Sequence, residues 1–303
     1  MNAQPIRTVA FIGLGQMGRP MAANLAKAGL ALRVMDRSAE AVRDFLAAHA
    51  ANAFGSPREA AAGSDALITM LPTGRDVREV LLGRRPDDPD AAMKGLRPGS
   101  LVIDMGSSAP LLTRETGQHL AAGGIAMLDA PVSGGVPRAR DGTLAIMVGG
   151  DPDAIERARP VLAALGSKIF AIGALGAGHA MKALNNYVSA AGLAAAAEAL
   201  LVGRRFGLDP AAMTDVLNAS TGRNNSTENK LKQHILSGTF ASGFSLDLMT
   251  KDLATALELA EALGVRVPFA ERCVPLWKDA TAQLGRGADH TAIYRFLEQL
   301  KEG

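Results

Sequence analysis

The stretch that decides the fold is TVAFIGLGQMGRPMAANLAKAG, residues 8 to 29. A short apolar run ends at Gly13, glycines recur in G-x-G-x-x-G spacing at Gly15 and Gly18, and a segment with helical spacing follows. Such glycines allow a tight turn and a close approach of backbone N–H groups to a pyrophosphate, and the helix N-terminus favours the anion. The stretch predicts a dinucleotide-binding strand, turn and helix. The candidate cofactor-binding residues of the turn are Gly13, Leu14, Gly15, Gln16, Met17 and Gly18.

A carboxylate follows the next apolar run, ALRVMD, which ends on Asp36. This is about the offset at which an acidic residue meets a ribose hydroxyl, although a solvated acid at a strand end is the alternative. Asp36 favours NAD, because a carboxylate repels the 2′-phosphate of NADP. Arg37 leaves NADP possible, since an arginine there either stacks on adenine or meets a 2′-phosphate.

The rhythm of the chain changes near residue 173. Before it, the runs ALITML, SLVIDM, AMLDAPV, LAIMVGG and KIFAIG alternate with amphipathic segments. This alternation predicts a largely parallel sheet with helices on both faces. After it, only Ala- and Leu-rich segments with helical spacing remain. We therefore predict an α/β Rossmann-type domain over residues 1–173 and an all-helical domain over residues 174–303.

Composition limits the classes of partner. The chain has 303 residues, a formal net charge of +2 and 48% hydrophobic residues. No basic run is interleaved with aromatic residues, so we expect a small-molecule partner and neither nucleic acid nor a membrane surface. The N-terminus lacks a secretory pattern and Cys273 is the one cysteine, which predicts a cytoplasmic location. The best candidate for a membrane span, 183–197, is short and contains Asn185, Asn186 and Tyr187, so no span is expected.

Polar side chains open an otherwise apolar helix in GAGHAMKALNNYVSAAGLAAAAEAL, residues 176–200. Lys182 and Asn186 are four residues apart and share a helical face, which Asn185 flanks. A polar stripe facing water is the alternative, but the turns that follow are apolar nearly all round, which predicts burial. Burial and the charge of an oxidised nicotinamide should lower the pKa of Lys182 and suit it to acid–base catalysis.

A second candidate site is LDAPVSGG, residues 128–135, which follows a predicted strand. The Ser133 hydroxyl and the N–H groups of Ser133, Gly134 and Gly135 would form a small nest for a carboxylate, although the string alone indicates only a turn. The histidines are scattered and His179 falls in a glycine-rich turn, so we expect no metal site, no covalent intermediate and no substrate contact from His179.

Taken together, these motifs make the chain resemble the β-hydroxyacid dehydrogenase family over nearly its whole length. The resemblance rests on residues 11–29, 68–77, 102–110, 129–150, 176–186 and 244–256. It implies a Rossmann-type N-terminal domain and an all-helical C-terminal domain joined by a long interdomain helix, with assembly into a homodimer or homotetramer. It also implies NAD(P)-dependent hydride transfer to or from a small β-hydroxy acid, as in 3-hydroxyisobutyrate dehydrogenase.

The resemblance assigns roles residue by residue. Lys182 becomes the catalytic acid/base and Asn186 its partner, with Asn185 in support, while Ser133, Gly134 and Gly135 hold the substrate carboxylate. Cofactor contacts are added at Leu71, Pro72, Ser107 and Lys251. The family usually has serine-threonine after the DM dipeptide, whereas this chain has Gly106 and Ser107. The chain therefore keeps one hydroxyl there, that of Ser107.

Several functions stay open at this stage. The main alternative is a tartronate semialdehyde (2-hydroxy-3-oxopropionate) reductase or another short-chain semialdehyde reductase. An imine reductase is disfavoured because those enzymes typically lack the lysine, and a non-catalytic dehydrogenase-like binding module is the remote alternative. A second anionic group on the substrate would be recognised by Arg138 or by the loop Arg223, Asn224, Asn225 and Ser226.

Overall fold

The strand before the glycine turn lies inside a sheet built outward from it. A computed structural model describes residues 5–85 and 87–300, and the chain divides into two compact units, Met1–Lys182 and Ala183–Gly303. Within the described residues the sheet has nine strands. They are β1 (Thr8–Ile12), β2 (Ala31–Met35), β3 (Asn52–Ala53), β4 (Ala66–Thr69), β5 (Leu101–Asp104), β6 (Ala126–Asp129), β7 (Val132–Ser133), β8 (Leu144–Gly149) and β9 (Gly166–Gly173).

The strand order is β3-β2-β1-β4-β5-β6-β8-β7, with β9 paired to β8. The pairings from β3 through β6 are parallel, β8 runs antiparallel to β6 and β7, and β9 is parallel to β8. This is the order of a dinucleotide-binding sheet, extended by an edge of mixed direction. The order in which strands are added to the sheet reverses between β1 and β4, so the glycine turn after β1 lies at the topological switch point.

Helices cover both faces of this sheet. They are α1 (Gly18–Lys27), α2 (Ala39–Ala48), α3 (Pro57–Ala61), α4 (Gly74–Leu82), α5 (Pro110–Ala122), α6 (Gly135–Asp141) and α7 (Pro152–Ala163), with a 3-10 turn at Ala92–Lys94. Along β1, Val9 and Phe11 join one apolar cluster while Ala10 and Ile12 join the other. Alternate side chains point to opposite faces of a strand, so the sheet is buried on both sides.

The second unit is helical. Its elements are α8 (Ala177–Phe206), which begins in the first unit, then α9 (Pro210–Ala219), α10 (Asn225–Asn229), a π-helical segment (Leu231–Leu236), α11 (Leu246–Ala262), α12 (Pro268–Leu284), a 3-10 turn (His290–Ala292) and α13 (Ile293–Gln299). No strand follows β9 among the described residues. Trp277 is fully buried in the core of this unit, and Cys273 is also buried there.

The fold class predicted from the sequence is confirmed: a Rossmann-type α/β unit, an all-helical unit, and a long helix, α8, that runs from one to the other. The predicted boundary between residues 173 and 174 stays a prediction. Side-chain hydrogen bonds fix where two of the helices begin. Thr73 and Asp76 form a capping box on α4, and Asp151 caps α7.

The length of α8 corrects one expectation. Its 30 residues include an 18-residue window of mean hydropathy 1.2, so this helix is long and apolar enough to cross a membrane by length and composition. Asn185 and Asn186 do not interrupt it, since amides are tolerated inside a helix whose packing is otherwise apolar. The observation is weak evidence for a span, because a helix in the core of a soluble protein passes the same test and 44% of the window is buried.

Candidate active site

The glycine turn after β1 has room for a ligand only at its tip. A Cβ on Gly13 would lie 2.3 Å from the Met70 carbonyl oxygen, and one on Gly18 would lie 1.8 Å from the Gly13 carbonyl oxygen. At Gly15, which is exposed, a Cβ would meet no atom within 4 Å. The first turn of α1 contains no acidic side chain and its N-cap residue, Met17, makes no side-chain cap. The helix end therefore keeps its positive character for a phosphate, and the turn fits a dinucleotide.

Asp36 stabilises the glycine turn directly. Its Oδ2 accepts a hydrogen bond from the Leu14 N–H at 2.6 Å, and its Oδ1 accepts one from the Ser38 N–H at 2.7 Å. A carboxylate has further lone pairs, so these bonds leave acceptor capacity for a ribose hydroxyl. Arg37 beside it is exposed.

The ends of β4 and β5 hold the other first-unit candidates. Leu71 is half-buried, Pro72 is exposed and Ser107 is half-buried. Asp104, fully buried, accepts hydrogen bonds from the Gly106 N–H at 3.0 Å and from the Ser108 hydroxyl at 2.7 Å. A Cβ on Gly106 would lie 2.8 Å from the Leu71 carbonyl oxygen. Glycine at position 106 therefore lets the loop after β5 approach the loop after β4 closely.

The Ser133 loop has the backbone of a turn. Ser133 ends β7 opposite Ala145, Gly134 precedes α6 with φ +133°, and Gly135 has φ +66°. Both glycines are exposed and lie in the left-handed region that favours glycine. Arg138 packs its stem against Gly134, where a Cβ would lie 2.5 Å from the Arg138 Cδ.

A buried carboxylate fixes the start of α8. Asp129, at the end of β6, accepts hydrogen bonds from the backbone N–H groups of Gly176 and His179, each at 2.7 Å. A Cβ on Gly178 would lie 2.2 Å from the Met147 carbonyl oxygen, so the first turn packs tightly against β8. These contacts fix the backbone of the helical turn that leads to Lys182.

His179 lies in the first turn of α8, which corrects its expected place in a turn before the helix. Its ring is buried, with Nδ1 2.8 Å from the Thr113 hydroxyl and Nε2 3.6 Å from the Asp104 carboxylate. Nδ1 also lies 3.7 Å from the buried Asp129 carboxylate. The imidazole therefore lies between two buried carboxylates and belongs to the internal polar network of the first unit.

The second unit fixes the orientation of the candidate amides. Asn186 is buried and donates its Nδ2–H to Asp252 Oδ2 at 2.6 Å, while its Oδ1 accepts from Asn185 Nδ2 at 3.2 Å. Lys251 Nζ lies 2.9 Å from the other carboxylate oxygen of Asp252. Four side chains thus form one chain of polar contacts, Asn185 to Asn186 to Asp252 to Lys251. Lys182 lies on α8 one turn before Asn186.

The loop proposed for a second anion has local partners. Asn224 accepts from the N–H groups of Ser226 and Thr227 and caps α10, and Arg223 lies 3.5 Å from Glu228. Asn225 is exposed and Ser226 is buried. Recognition of a second anion by this loop or by Arg138 stays a prediction.

Three polar residues of the site region were missed from the sequence: Asp129, Asp252 and Lys230. Lys230 Nζ donates a hydrogen bond to the Ser189 hydroxyl at 3.3 Å, and burial lowers the pKa of this lysine to about 8. Asp129 lies in LDAPVSGG, and Asp252 directly follows Lys251 within residues 244–256, so motif position was a usable signal for both. Within residues 5–85 and 87–300, no group of His, Cys, Asp and Glu side chains could hold a metal ion.

Comparison with known proteins covers both units. The NAD binding domain of 6-phosphogluconate dehydrogenase matches residues 8–173, and the NAD-binding domain of NADP-dependent 3-hydroxyisobutyrate dehydrogenase matches residues 176–297. The chain is 41% identical to a 3-hydroxyisobutyrate dehydrogenase of Pseudomonas aeruginosa over 95% of this chain and 97% of that one. It is 38% identical to the 3-sulfolactaldehyde reductase of Escherichia coli over 97% of this chain and 95% of that one.

A solved structure agrees with these relatives. The 3-hydroxyisobutyrate dehydrogenase of Mycobacterium tuberculosis with L-serine superposes with a TM-score of 0.87 at 37% identity, covering 96% of this chain and 99% of that one. Imine reductases also superpose, but at 20% and 21% identity they show the fold alone.

A dinucleotide-binding sheet with a glycine turn at its switch point, followed by a helical unit with a Lys-x-x-Asn-Asn helix, defines a nicotinamide-dependent oxidoreductase. The chain belongs to the β-hydroxyacid dehydrogenase family. It is an NAD(P)-dependent dehydrogenase of the 3-hydroxyisobutyrate dehydrogenase type, and the family resemblance found in the sequence is confirmed.

Proposed function

We propose that the protein oxidises a small β-hydroxy acid to its semialdehyde, with Lys182 as the group that takes the hydroxyl proton. The observation that carries this proposal is the α8 arrangement: Lys182 and Asn186 share a face, and the Asn186 amide is fixed by Asp252. The bound nicotinamide accepts the hydride from the carbinol carbon when it is present. Lys182 removes the proton in the forward direction and returns it when the semialdehyde is reduced.

The remaining candidates orient the substrate. We assign Asn186 to the reacting hydroxyl and Asn185 to its support, because Asn186 donates to Asp252 through one Nδ2–H and keeps the other for a ligand. Ser133, Gly134 and Gly135 offer a hydroxyl and backbone N–H groups to the substrate carboxylate. A held carboxylate and a held hydroxyl fix the carbinol carbon, which converts a bimolecular step into an effectively unimolecular one.

On the cofactor side we propose a preference for NAD. The support is the carboxylate of Asp36, which directly follows β2, while the exposed Arg37 keeps NADP acceptable. We assign the pyrophosphate to the turn from Gly13 to Gly18. The further cofactor contacts that we propose are Leu71, Pro72, Ser107 and Lys251.

A semialdehyde reductase acting mainly in the reverse direction is the second candidate. The observation that favours it is the 38% identity to a 3-sulfolactaldehyde reductase, whose name gives it the aldehyde as substrate. The residues proposed above serve both directions. Tartronate semialdehyde is the reducible substrate that we propose to test first.

We also propose a domain boundary at residues 173 and 174, a cytoplasmic location and a homodimeric or homotetrameric assembly. An exposed apolar stripe on α8 supports the assembly. Val188, Val202 and Phe206 are 67%, 71% and 84% exposed and recur on one helical face. Exposed apolar stripes of this kind mark interaction surfaces.

The experiment that tests the function is a spectrophotometric screen of the purified protein with NAD and with NADP. The panel contains 3-hydroxyisobutyrate, glycerate, 3-hydroxypropionate, 4-hydroxybutyrate and threonate, with tartronate semialdehyde in the reducing direction. We expect turnover of at least one acid with a preference for NAD. Tight cofactor binding without turnover of any hydroxy acid or semialdehyde would contradict the proposal.

Replacement of the lysine tests its role. In Lys182→Ala we expect kcat to fall by about three powers of ten or more, since general acid–base catalysis contributes roughly 10²–10⁴-fold and the charge is lost as well. The Kd of the cofactor should stay within about threefold. Lys232→Ala is the matched control, because Lys232 is exposed and pairs with Asp215. Near-normal turnover by the Lys182→Ala variant would contradict the assignment of Lys182 as the catalytic acid/base.

A further inference from the structure

Lys230 is a half-buried cation without a close counter-ion. It stands between α10 and the π-helical segment, and its Nζ donates to the Ser189 hydroxyl. Within the described part of the chain, no carboxylate lies within 4.0 Å of this ammonium. One of its three N–H donors is therefore used by a neutral group, and a buried charge normally requires an anionic partner.

Asp289 is the acid whose charge acts on Lys230, but its carboxylate forms hydrogen bonds with other groups. Its carboxylate accepts hydrogen bonds from the Thr291 N–H, the Ser242 hydroxyl and the Gly243 N–H. Burial raises the pKa of Asp289, but the hydrogen bonds from Thr291 and Ser242 outweigh it and lower the pKa, so the carboxylate stays ionised at neutral pH. For Lys230 the attraction of Asp289 is the smaller effect, and burial lowers its pKa to about 8. The attraction of Asp289 thus does not offset the cost of burying the Lys230 charge.

The position of Lys230 relates it to the candidate catalytic helix. Ser189 follows Asn186 by three residues and Lys182 by seven, so all three lie on one face of α8. One helical turn is about 5 Å, which corresponds to about four bonds of an extended carbon chain beyond the group that Asn186 holds. The Asn224 side chain also packs there, since a Cβ on Gly192 would lie 3.4 Å from its Nδ2. A substituent extended from Asn186 along this face would therefore reach Ser189 and the Lys230 ammonium that contacts it.

We propose that Lys230, together with Ser189, binds a second anionic group on the substrate, so the substrate is a β-hydroxy acid whose side substituent ends in a carboxylate or sulfonate. This inference rests on the proposed function. The reaction is unchanged by it: the carbinol C–H pair leaves as a hydride to the nicotinamide, and the hydroxyl proton goes to Lys182. Lys230 forms no covalent bond and acts by charge and hydrogen bonding alone.

The test compares matched substrates. The probes are β-hydroxy acids with a hydroxymethyl group on the carbon next to the carboxylate and one variable substituent there: methyl, carboxyethyl, sulfoethyl or the neutral carbamoylethyl. For the wild type we expect kcat/KM to be about 10- to 100-fold higher for an anionic substituent than for carbamoylethyl, the range of a charged hydrogen bond. The carboxyethyl and sulfoethyl arms identify which anion is preferred.

Substitution of the lysine then assigns the effect. In Lys230→Met, which keeps the apolar stem, the preference should vanish through a rise in KM while kcat for the methyl acid stays within about twofold. Lys232→Met is the matched control. Ser189→Ala is a second variant, in which we expect a partial loss of about threefold for the anionic substrates.

The preference should also depend on pH. Between pH 7 and pH 9.5 the ratio of kcat/KM for the anionic and the carbamoylethyl acids should fall as Lys230 loses its proton, and effects on Lys182 cancel in this ratio. The other titratable groups near Lys230 are Asp289, His290 and His234. Asp289 and His290 have pKa values below this window, and the ratio is remeasured in His234→Gln to remove the third.

Two failures are distinguishable. A wild type that turns over the methyl acid, shows no preference for anionic substituents and is unchanged by Lys230→Met would overturn this inference and leave the proposed function standing. A wild type that turns over none of the acids would remove the proposed function itself. Retention of the anion preference in a folded Lys230→Met protein would also overturn the assignment to Lys230.

Discussion

At the scale of single residues, Asp252 decides which way the Asn186 amide faces. Its two oxygens contact Asn186 and Lys251, one on each side. Removal of this carboxylate would leave a buried amide donor without its partner, which costs about 1–3 kcal/mol. The residue touches no substrate in our proposal and acts by positioning Asn186.

Asp252→Ala should therefore lower kcat/KM by about 10- to 100-fold, and Asp252→Asn should lower it less, since its amide oxygen still accepts from Asn186. Steady-state kinetics and urea unfolding measure the two effects separately. Glu258→Ala is the control, because Glu258 is exposed on the same helix. Wild-type kinetics in a folded Asp252→Ala protein would show that Asn186 is positioned by other groups.

A second prediction at the scale of single residues concerns the stability of the fold at acidic pH. His290 is buried, and burial lowers its pKa to about 4 from an ordinary 6.5. The unfolded chain binds a proton on this histidine between pH 6.5 and 4, whereas the folded chain does not. The contribution of neutral His290 to the free energy of unfolding is therefore complete above pH 6.5. It is lost as the pH falls towards 4, by up to about 3 kcal/mol.

Urea unfolding from pH 4 to pH 7 measures that slope. In His290→Asn, whose amide can replace the Nδ1 donor to the Phe244 carbonyl oxygen, the slope in this window should flatten. The pKa of Lys230 lies above the window, so it does not contribute. An equally steep dependence in His290→Asn would assign the acid sensitivity to other groups.

At the scale of elements, different glycines of the turn after β1 serve folding and cofactor binding. Gly18→Ala places a Cβ against the Gly13 carbonyl oxygen, and we expect a loss of at least about 1–3 kcal/mol and a fall of several degrees in Tm. Gly15→Ala places its Cβ in open space, so the Tm of the free protein should not change. Its Kd for NAD should rise about tenfold or more, because the Cβ stands where the pyrophosphate approaches. Calorimetry with and without NAD measures both quantities.

Elements also show where sequence patterns stop being informative. The apolar runs predicted β1, β2, β4, β5, β6, β8 and β9 because each is a short apolar run with flanking glycines or acids. The two-residue strand β7 and the reversal of β8 were not predictable, since strand direction is fixed by pairing and leaves no local pattern.

The same limit applied to the site. Lys182 and Asn186 were found because both lie on one helix within four positions. The Asp252 partner of Asn186 is 66 residues away, the Asp129 partner of Gly176 is 47 residues away, and Ser189 and Lys230 are 41 residues apart. Helical periodicity carries no information over such separations, so these contacts required the tertiary structure.

At the scale of the whole molecule, the α8 stripe predicts assembly. We expect a dimer or tetramer by light scattering coupled to size exclusion, and Val202→Glu with Phe206→Glu should shift the protein to a smaller species, because two charges would be buried at the contact. Val216→Glu on α9 is the control, since this residue is exposed to a similar extent. A wild-type monomer at micromolar concentration would contradict the prediction.

The single cysteine gives the helical unit a built-in chemical reporter. Cys273 is packed beside Trp277 in that core, and burial raises the pKa of its thiol, so a thiol-directed reagent can reach and attack it only after the surrounding helices separate. The labelling rate of the unmodified protein therefore measures the opening free energy of this one unit, while the first unit, which carries no thiol, remains silent. Protection by added NAD or by a substrate would then report whether ligand binding also stabilises the helical unit, without any introduced probe.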